Sequence, residues 1–318
     1  MTQQFLYTTH SSRNPLLQAL VGQGVEVRHV TFGKALADLP ACLGFYGNLF
    51  DEIKQWRRLA ALKRQLRAHN VPYVFWNRDA PWNTGMKFKN RLVLQWLKPL
   101  DIYLAHSMQK QQWFGCNSHY FPNAAQPAYY EDTDLQALRN ESTYKYDVSF
   151  FGSVGNAKDA AARARQQFLE TLERLLKAAI PAIRFKVIDT AHQPLSLSEQ
   201  LALIRTTKIN LNYGAMCDLP GNPSWGLPER VFGIPAAGGY VLTDHRQSIA
   251  QTFPRIECDS FSTLEQCAQQ IDIMLNDFAT LRTQAEQLHQ EVLATHTYSH
   301  RAQTLMMLLQ NYRNKDAA

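Results

Sequence analysis

Apolar runs of strand length alternate with helix-periodic stretches along nearly the whole chain, and that alternation leaves few folds open. In the first part the strand-like runs are Gln3–Thr8, Val25–Val30, Ala41–Tyr46, Pro72–Trp76, Asp101–Ala105 and His119–Phe121. Between them Ile53, Trp56, Leu59, Leu62 and Leu66 step by threes and fours, which marks one apolar helix face; Leu92, Leu94, Leu97 and Leu100 suggest another. Strands joined through helices pair in parallel, and a parallel sheet is covered on both faces. Trp56, Trp96 and the leucines beside them are therefore expected in the core. Around residues 124–146 the rhythm gives way to a polar stretch with little apolar periodicity. A second series follows: strand Asp147–Phe151, helix Lys158–Lys177, strand Ile183–Ile188, helix Leu197–Thr206 and strand Lys208–Asn212. A long loop to Pro228, a short helix, strand Tyr240–Thr243 and further helices complete it.

The fold class expected is α/β, with two Rossmann-like doubly wound domains and a ligand cleft between them. A chain of 318 residues suits two domains better than one. The boundaries expected are residues 1–125 for the first domain, 126–145 for the connection and 146–296 for the second domain. A closing helix, 297–318, is expected to pack back on the first. No run of eighteen apolar residues offers a membrane span, and the start lacks the charged and apolar regions of a signal peptide. The cysteines (Cys42, Cys116, Cys217, Cys258, Cys267) are odd in number and form no C-x-x-C, so neither a disulfide framework nor a zinc site is expected. A reducing, cytoplasmic setting fits them.

Charge is uneven. Residues 51–100 hold eleven Lys/Arg against three acids, a local +8, while the remainder of the chain sums to −2. Either this is a solvated helix face or it meets a polyanion, a nucleic acid or an anionic membrane surface.

In open parallel sheets the loops after strands carry the chemistry. The loop Phe150-Phe151-Gly152-Ser153-Val154-Gly155-Asn156 leaves the first strand of the second half and enters a helix, where glycines and free N–H groups suit an anion. Lys158, Arg163 and Arg165 follow it. The segment from Gly221 to Asp244 is dense in Gly and Pro, with Pro228 suited to a first helical turn and Glu229 and Arg230 near its start. Glu229 there satisfies the helix dipole; Arg230 opposes it and calls for an anion. Asp79 stands in the loop just beyond Val74-Phe-Trp76, where a carboxylate either receives an acceptor's proton or caps its own turn. His10 ends the first strand, as a cleft residue or an ordinary polar end, and His106 reads as structural. Asp132-Thr-Asp134 has a metal-type D-x-D form but lies in the polar connection, and no histidine pair has metal spacing.

Six segments belong together: Asp147-Val-Ser-Phe-Phe-Gly-Ser153; Lys208-Ile-Asn-Leu-Asn212; Ser224-x3-Pro228-x-Arg230-Val-Phe232-x2-Pro-Ala-x-Gly238-Gly239-x3-Thr-Asp244; His296-Thr-Tyr298 with His300-Arg301; Trp76-x2-Asp79-x-Pro81; and Tyr120-Phe-Pro-Asn-Ala-Ala-Gln-Pro127. Together they resemble group 1 glycosyltransferases, and among them the CgeB-like branch. The resemblance implies a GT-B fold and transfer of a sugar from a UDP-, GDP- or TDP-sugar to a hydroxyl of a glycan, protein or small molecule. It implies no metal and no cofactor. Carried over by position, Gly152 and Ser153 would face the donor phosphates, and Asn212, Ser224, Pro228, Arg230 and Phe232 would line the nucleotide pocket; beside them, Arg163 is either a further phosphate contact or a surface charge by its place after the glycine loop, and Glu229 a candidate for the sugar or ribose. Gly238 and Gly239 would let helix and strand pack beneath it, with Asp79 and His10 as catalytic candidates. The family's ribose-binding Glu is replaced by Gly233, and the partner Glu of retaining relatives by Trp225. The alternatives are a glycosyltransferase acting on a nucleic-acid base and a non-catalytic nucleotide-sugar-binding module.

Overall fold

The computed structural model describes residues 3–8, 14–34, 36, 39–80, 82–83, 86–154, 160–215, 217–219, 222–254 and 258–315. In chain order the elements are β1 (Gln4–Tyr7), α1 (Pro15–Gly22), β2 (Glu26–His29), β3 (Cys42–Tyr46), α2 (Leu49–Glu52), α3 (Trp56–Ala68), β4 (Tyr73–Asn77), α4 (Phe88–Leu97), β5 (Ile102–Ala105) and β6 (Asn117–Tyr120). Then come β7 (Tyr146–Gly152), α5 (Ala160–Ala179), β8 (Phe185–Asp189), α6 (Leu197–Arg205), β9 (Thr207–Asn212), α7 (Arg230–Ala236), β10 (Tyr240–Asp244), α8 (Ile249–Thr252), β11 (Ser260–Phe261), α9 (Leu264–Asn276), α10 (Phe278–Thr295) and α11 (Tyr298–Lys315).

The chain forms two compact units, residues 1–122 with 298–318, and residues 123–297. The first is built on a six-stranded sheet of order β2-β1-β3-β4-β5-β6, every neighbouring pair parallel. Strands β3, β4 and β5 are buried at every position, the pattern of a sheet covered on both faces. Edge strand β2 has no buried residue. The closing helix α11 packs against α1 and β3, burying Ala302, Leu305 and Leu309. At the start of α1, the Asn14 side chain accepts from Leu16 N at 3.0 Å and Pro15 takes the first helical position.

The second unit has a five-stranded parallel sheet of order β11-β10-β9-β7-β8. Alternate residues of β7 feed different apolar clusters, Val148 and Phe150 one and Phe151 the other, as a strand between two helical layers requires. Helix α6 opens on a capping box between Ser196 and Glu199.

Most strand positions match the pattern reading within a residue or two. Three features do not. Strand β11 is two residues long and too short to show a period. The polar stretch before β7 holds short 3-10 turns at Pro127–Tyr129, Ala137–Arg139 and Glu141–Thr143, and anchors itself through buried Leu138 and Tyr144. Trp56 and Trp96, expected in the core, are 39 % and 70 % exposed, and Leu92 is 49 % exposed. The core side of α4 is held by Leu94, the one fully buried residue of that helix, with the partly buried Val93 and Leu97 packed beside it.

Candidate functional site

In the second unit the strand order reverses between β7 and β9, and their carboxyl ends frame the crevice where open parallel sheets bind ligands. Arg230, the first residue of α7, reaches into that place. Its guanidinium donates to the Phe151 carbonyl, and Nε donates to Asn212 Oδ1 at 3.1 Å. Both partners are neutral. Arg165 comes from α5 to the same strand ends, donating to Ser153 O at 2.6 Å and Tyr213 O at 3.0 Å. The two cations share one aromatic wall: the Phe150 ring centroid lies 4.9 Å from Arg230 Cζ and 5.8 Å from Arg165 Cζ. Burial, then the neighbouring Arg165 charge, pushes Arg230 down to about 9. It still carries its charge at neutral pH, in a place that resists it.

Gly152 makes this possible. A Cβ there would lie 2.4 Å from Arg230 Nη1 and 3.0 Å from the Phe150 ring. Asn212 is fully buried, so it acts through Arg230: Oδ1 receives the arginine while Nδ2 donates to Thr243 Oγ1 at 2.8 Å.

A third arginine, Arg246, follows β10 and is fully buried. It donates to Asp218 at 2.6 Å, Asp244 at 2.8 Å and Ser224 Oγ at 2.8 Å. Burial opposes its charge, but Asp244 and Asp218 outweigh that effect and raise its pKa. Asp218 also receives Ser224 N at 2.8 Å, so the network fixes the loop that leads to α7. The Arg246 charge is thus balanced by two carboxylates, in contrast with the neutral hydrogen-bond partners of Arg230.

The other sequence candidates fall in different places. Ser153 lies at the site through its carbonyl. Ser224 is buried against Arg246. Arg163 projects from α5 as an exposed side chain, and Arg165, two positions on, is the one turned inward. Phe232, expected at the pocket, is fully buried between Phe253 and His296, with ring centroids 5.8 and 5.5 Å away. Pro228 precedes α7, and its carbonyl accepts from Val231 N at 3.1 Å in the turn that starts the helix. Glu229 accepts from Gln126 Nε2 at 3.0 Å. At Gly233 a Cβ would meet the Tyr129 ring at 3.1 Å, so an aromatic ring stands where a side chain from that position would begin. Gly238 has φ +81°, and a Cβ there would meet Leu138 at 2.6 Å; one at Gly239 would meet Ile204 at 2.6 Å. Gly155, Asn156, Lys158, His10 and Pro81 lie outside the described residues.

In the first unit Asp79 sits two residues past β4, with an exposed side chain. Its backbone N–H donates to Asn77 Oδ1 at 3.2 Å, so Asn77 caps the turn that Asp79 was a candidate to cap. The protein around the loop removes part of its hydration and raises its pKa, with Arg78 opposing. Arg78 itself lies over the Trp76 ring, 5.2 Å from the centroid. Where this sheet reverses order, between β1 and β3, a carboxylate is hidden that no sequence pattern announced. Glu52 is 2 % exposed and accepts from the hydroxyls of Thr8 and Tyr73 and from Asn48 N at 3.0 Å. Burial raises its pKa against those three donors. Gly47 leaves the space for the Tyr73 hydroxyl.

Asp134 receives the N–H groups of Gln136 and Ala137 at 3.0 and 3.1 Å, so the D-x-D segment closes a turn. Among the described residues no group of three His, Cys, Asp or Glu gathers as for a metal ion. No described helix is long and apolar enough to cross a membrane. A surface hollow lined by Ile102, Asn117, His119 and Tyr312 lies at the amino ends of β5 and β6, the wrong end of the strands for this chemistry.

Comparison with known proteins bears on the fold. Residues 163–307, somewhat under half of the chain, match the family described as Glycosyl transferase-like. Sucrose-phosphate synthase from Thermosynechococcus elongatus aligns with a TM-score of 0.60 at 11 % identity, over 98 % of this chain and 99 % of that one. Trehalose 6-phosphate synthase from Burkholderia multivorans aligns with a TM-score of 0.60 at 9 % identity, over the whole of both. HepE of Anabaena, solved in complex with UDP, aligns with a TM-score of 0.55 at 12 % identity, over 98 % of this chain and 100 % of that one. No curated protein matches in sequence. The fold is GT-B, the two-Rossmann architecture of glycosyltransferases.

Proposed function

We propose that this chain is a glycosyltransferase that moves a sugar from a nucleoside diphosphate sugar to an acceptor hydroxyl, with the donor diphosphate seated against Arg230 and Arg165. The observation that carries this reading is the Arg230 guanidinium, held at the switch point of the second sheet by neutral hydrogen-bond partners among the described residues. A leaving diphosphate is the ligand that such a pair of guanidiniums suits, because the charge that builds as the glycosidic bond breaks falls on it. HepE, which shares the fold, is solved with UDP and with UDP-glucose, and this makes uridine the first base to try.

The branch proposed is CgeB-like, on the order of the sequence segments. The arginines supply the positive charge that a metal supplies elsewhere, so transfer is proposed to survive chelation. Asp79, on the loop after β4, is the proposed acceptor-side base if the reaction inverts, with His10 the next candidate. The free cysteines suit the cytoplasm. A non-catalytic nucleotide-sugar-binding module is the second reading, favoured by the Tyr129 ring against Gly233 where the family's ribose-binding Glu would stand.

A thermal-shift screen against UDP-, GDP- and TDP-sugars, followed by UDP, GDP or TDP release with EDTA present, tests the proposal. A donor that raises Tm and is slowly hydrolysed supports an enzyme. Binding without release at any enzyme concentration supports the module. No shift with any of the three donor classes overturns both.

A further inference from the structure

We propose that helix α4, with the start of α3, forms a face that docks on an anionic phospholipid bilayer, independently of the donor reading. Phe88, Leu92 and Trp96 stand four residues apart and so share one helix face, and they are 70 %, 49 % and 70 % exposed. Trp56 of α3, 39 % exposed, extends the stripe through an edge contact with Trp96, ring centroids 5.8 Å apart. Folding normally hides such residues, and here it leaves them out while Leu94, with the partly buried Val93 and Leu97, holds the core side.

The charge around the stripe says what covers it. Helices α3 and α4, with the flanking Lys87 and Lys98, carry nine Lys/Arg and no acidic residue. Lys87 and Lys89 flank the stripe and are exposed; Arg91 lies over Trp113, 4.4 Å from its ring centroid, and Lys110 approaches the same ring at 5.1 Å. Arg57 lies over Trp56 at 5.1 Å. A duplex would engage these cations through its phosphates but leave Phe88 and Leu92 without a partner. An anionic bilayer engages both parts: lipid phosphates meet the Lys/Arg, Trp rings sit at headgroup level, and Phe and Leu enter the acyl boundary.

The test is flotation of the whole chain at physiological salt with vesicles of phosphatidylcholine alone, and with vesicles containing about 40 % phosphatidylglycerol, a strongly anionic surface. The expected result is binding at least about tenfold tighter to the anionic vesicles, quenched tryptophan fluorescence when brominated acyl chains are used, and roughly tenfold weaker binding by the F88A/L92A/W96A variant. Should that variant unfold, the quenching of the parent and the single Trp96→Ala variant decide. Failure of the parent to bind anionic vesicles, or parent-like binding by the folded variants, overturns the proposal. So does tight binding to duplex DNA with none to vesicles, which assigns the face to a nucleic acid.

Discussion

Arg230 is a cation in a place that folding alone does not reward, and its neighbours are built to keep it there. Gly152 gives it room, Asn212 and the Phe151 carbonyl orient it, and the Arg165 charge leans against it. Gly152→Ala leaves the strand intact but drives a methyl into the space of the guanidinium. We expect the variant to fold with Tm within a few degrees of the parent while nucleotide affinity falls roughly tenfold, the worth of one displaced charge-assisted contact; calorimetry on the folded variant checks it. Glu52 offers a pH-dependent counterpart in the other unit. Its folded pKa is raised, so the folded state holds the proton more tightly than the unfolded state. Its contribution favours folding at low pH and is lost as pH rises through the folded pKa. Tyr73→Phe removes one donor to the carboxylate and raises that pKa further. The variant should lose about 1.5–3 kcal/mol at neutral pH, the range for a hydrogen bond to a charged group, and less at an acid pH as the carboxyl takes up a proton. Urea unfolding at the two pH values decides; an equal loss at both would mean that Tyr73 is needed only for packing.

At the scale of elements, strand–helix alternation was legible because central strands of a parallel sheet are apolar throughout and helix faces repeat at 3.6. Strands β3, β4, β5 and β9 fall within a residue or two of where the pattern put them. What pattern reading lacks is direction. Trp56 continues the period of Leu59, Leu62 and Leu66, yet α3 begins there and its first turn stands beyond the core. Arg163 and Arg165 both follow the glycine loop, and only the pitch of α5 tells which turns inward. Arg246 and Asp218 are 28 residues apart and carry no motif; the contact exists only once β9 and β10 pair. Gly238 was readable as a special position, and its φ of +81° with Leu138 packed behind it gives the reason. Gly238→Ala should cost about 1–3 kcal/mol through backbone strain and crowding. A denaturant midpoint unchanged from the parent would show that the α7–β10 turn adapts.

At the scale of the whole molecule, two units of like topology are tied by a chain that returns: α11 ends the sequence yet belongs to the first unit. Leu309 is buried there, beside the place where a Cβ on Gly44 of β3 would point. Leu309→Ala should cost about 2–5 kcal/mol, the usual loss for a buried Leu truncated to Ala. The loss should fall on the unfolding of the first unit and leave nucleotide affinity unchanged, which hydrogen exchange with and without ligand would separate. The division of labour proposed, donor on the second unit and acceptor on the first, rests on the diphosphate being the group that Arg230 awaits. The most direct measurement compares UDP with uridine by calorimetry, in the parent and in Arg230→Ala. The parent is expected to bind UDP at least about tenfold tighter than uridine, and Arg230→Ala to remove most of that gap while leaving uridine affinity in place. Equal affinity for UDP and uridine in the parent, or an undiminished gap in the folded variant, would contradict it.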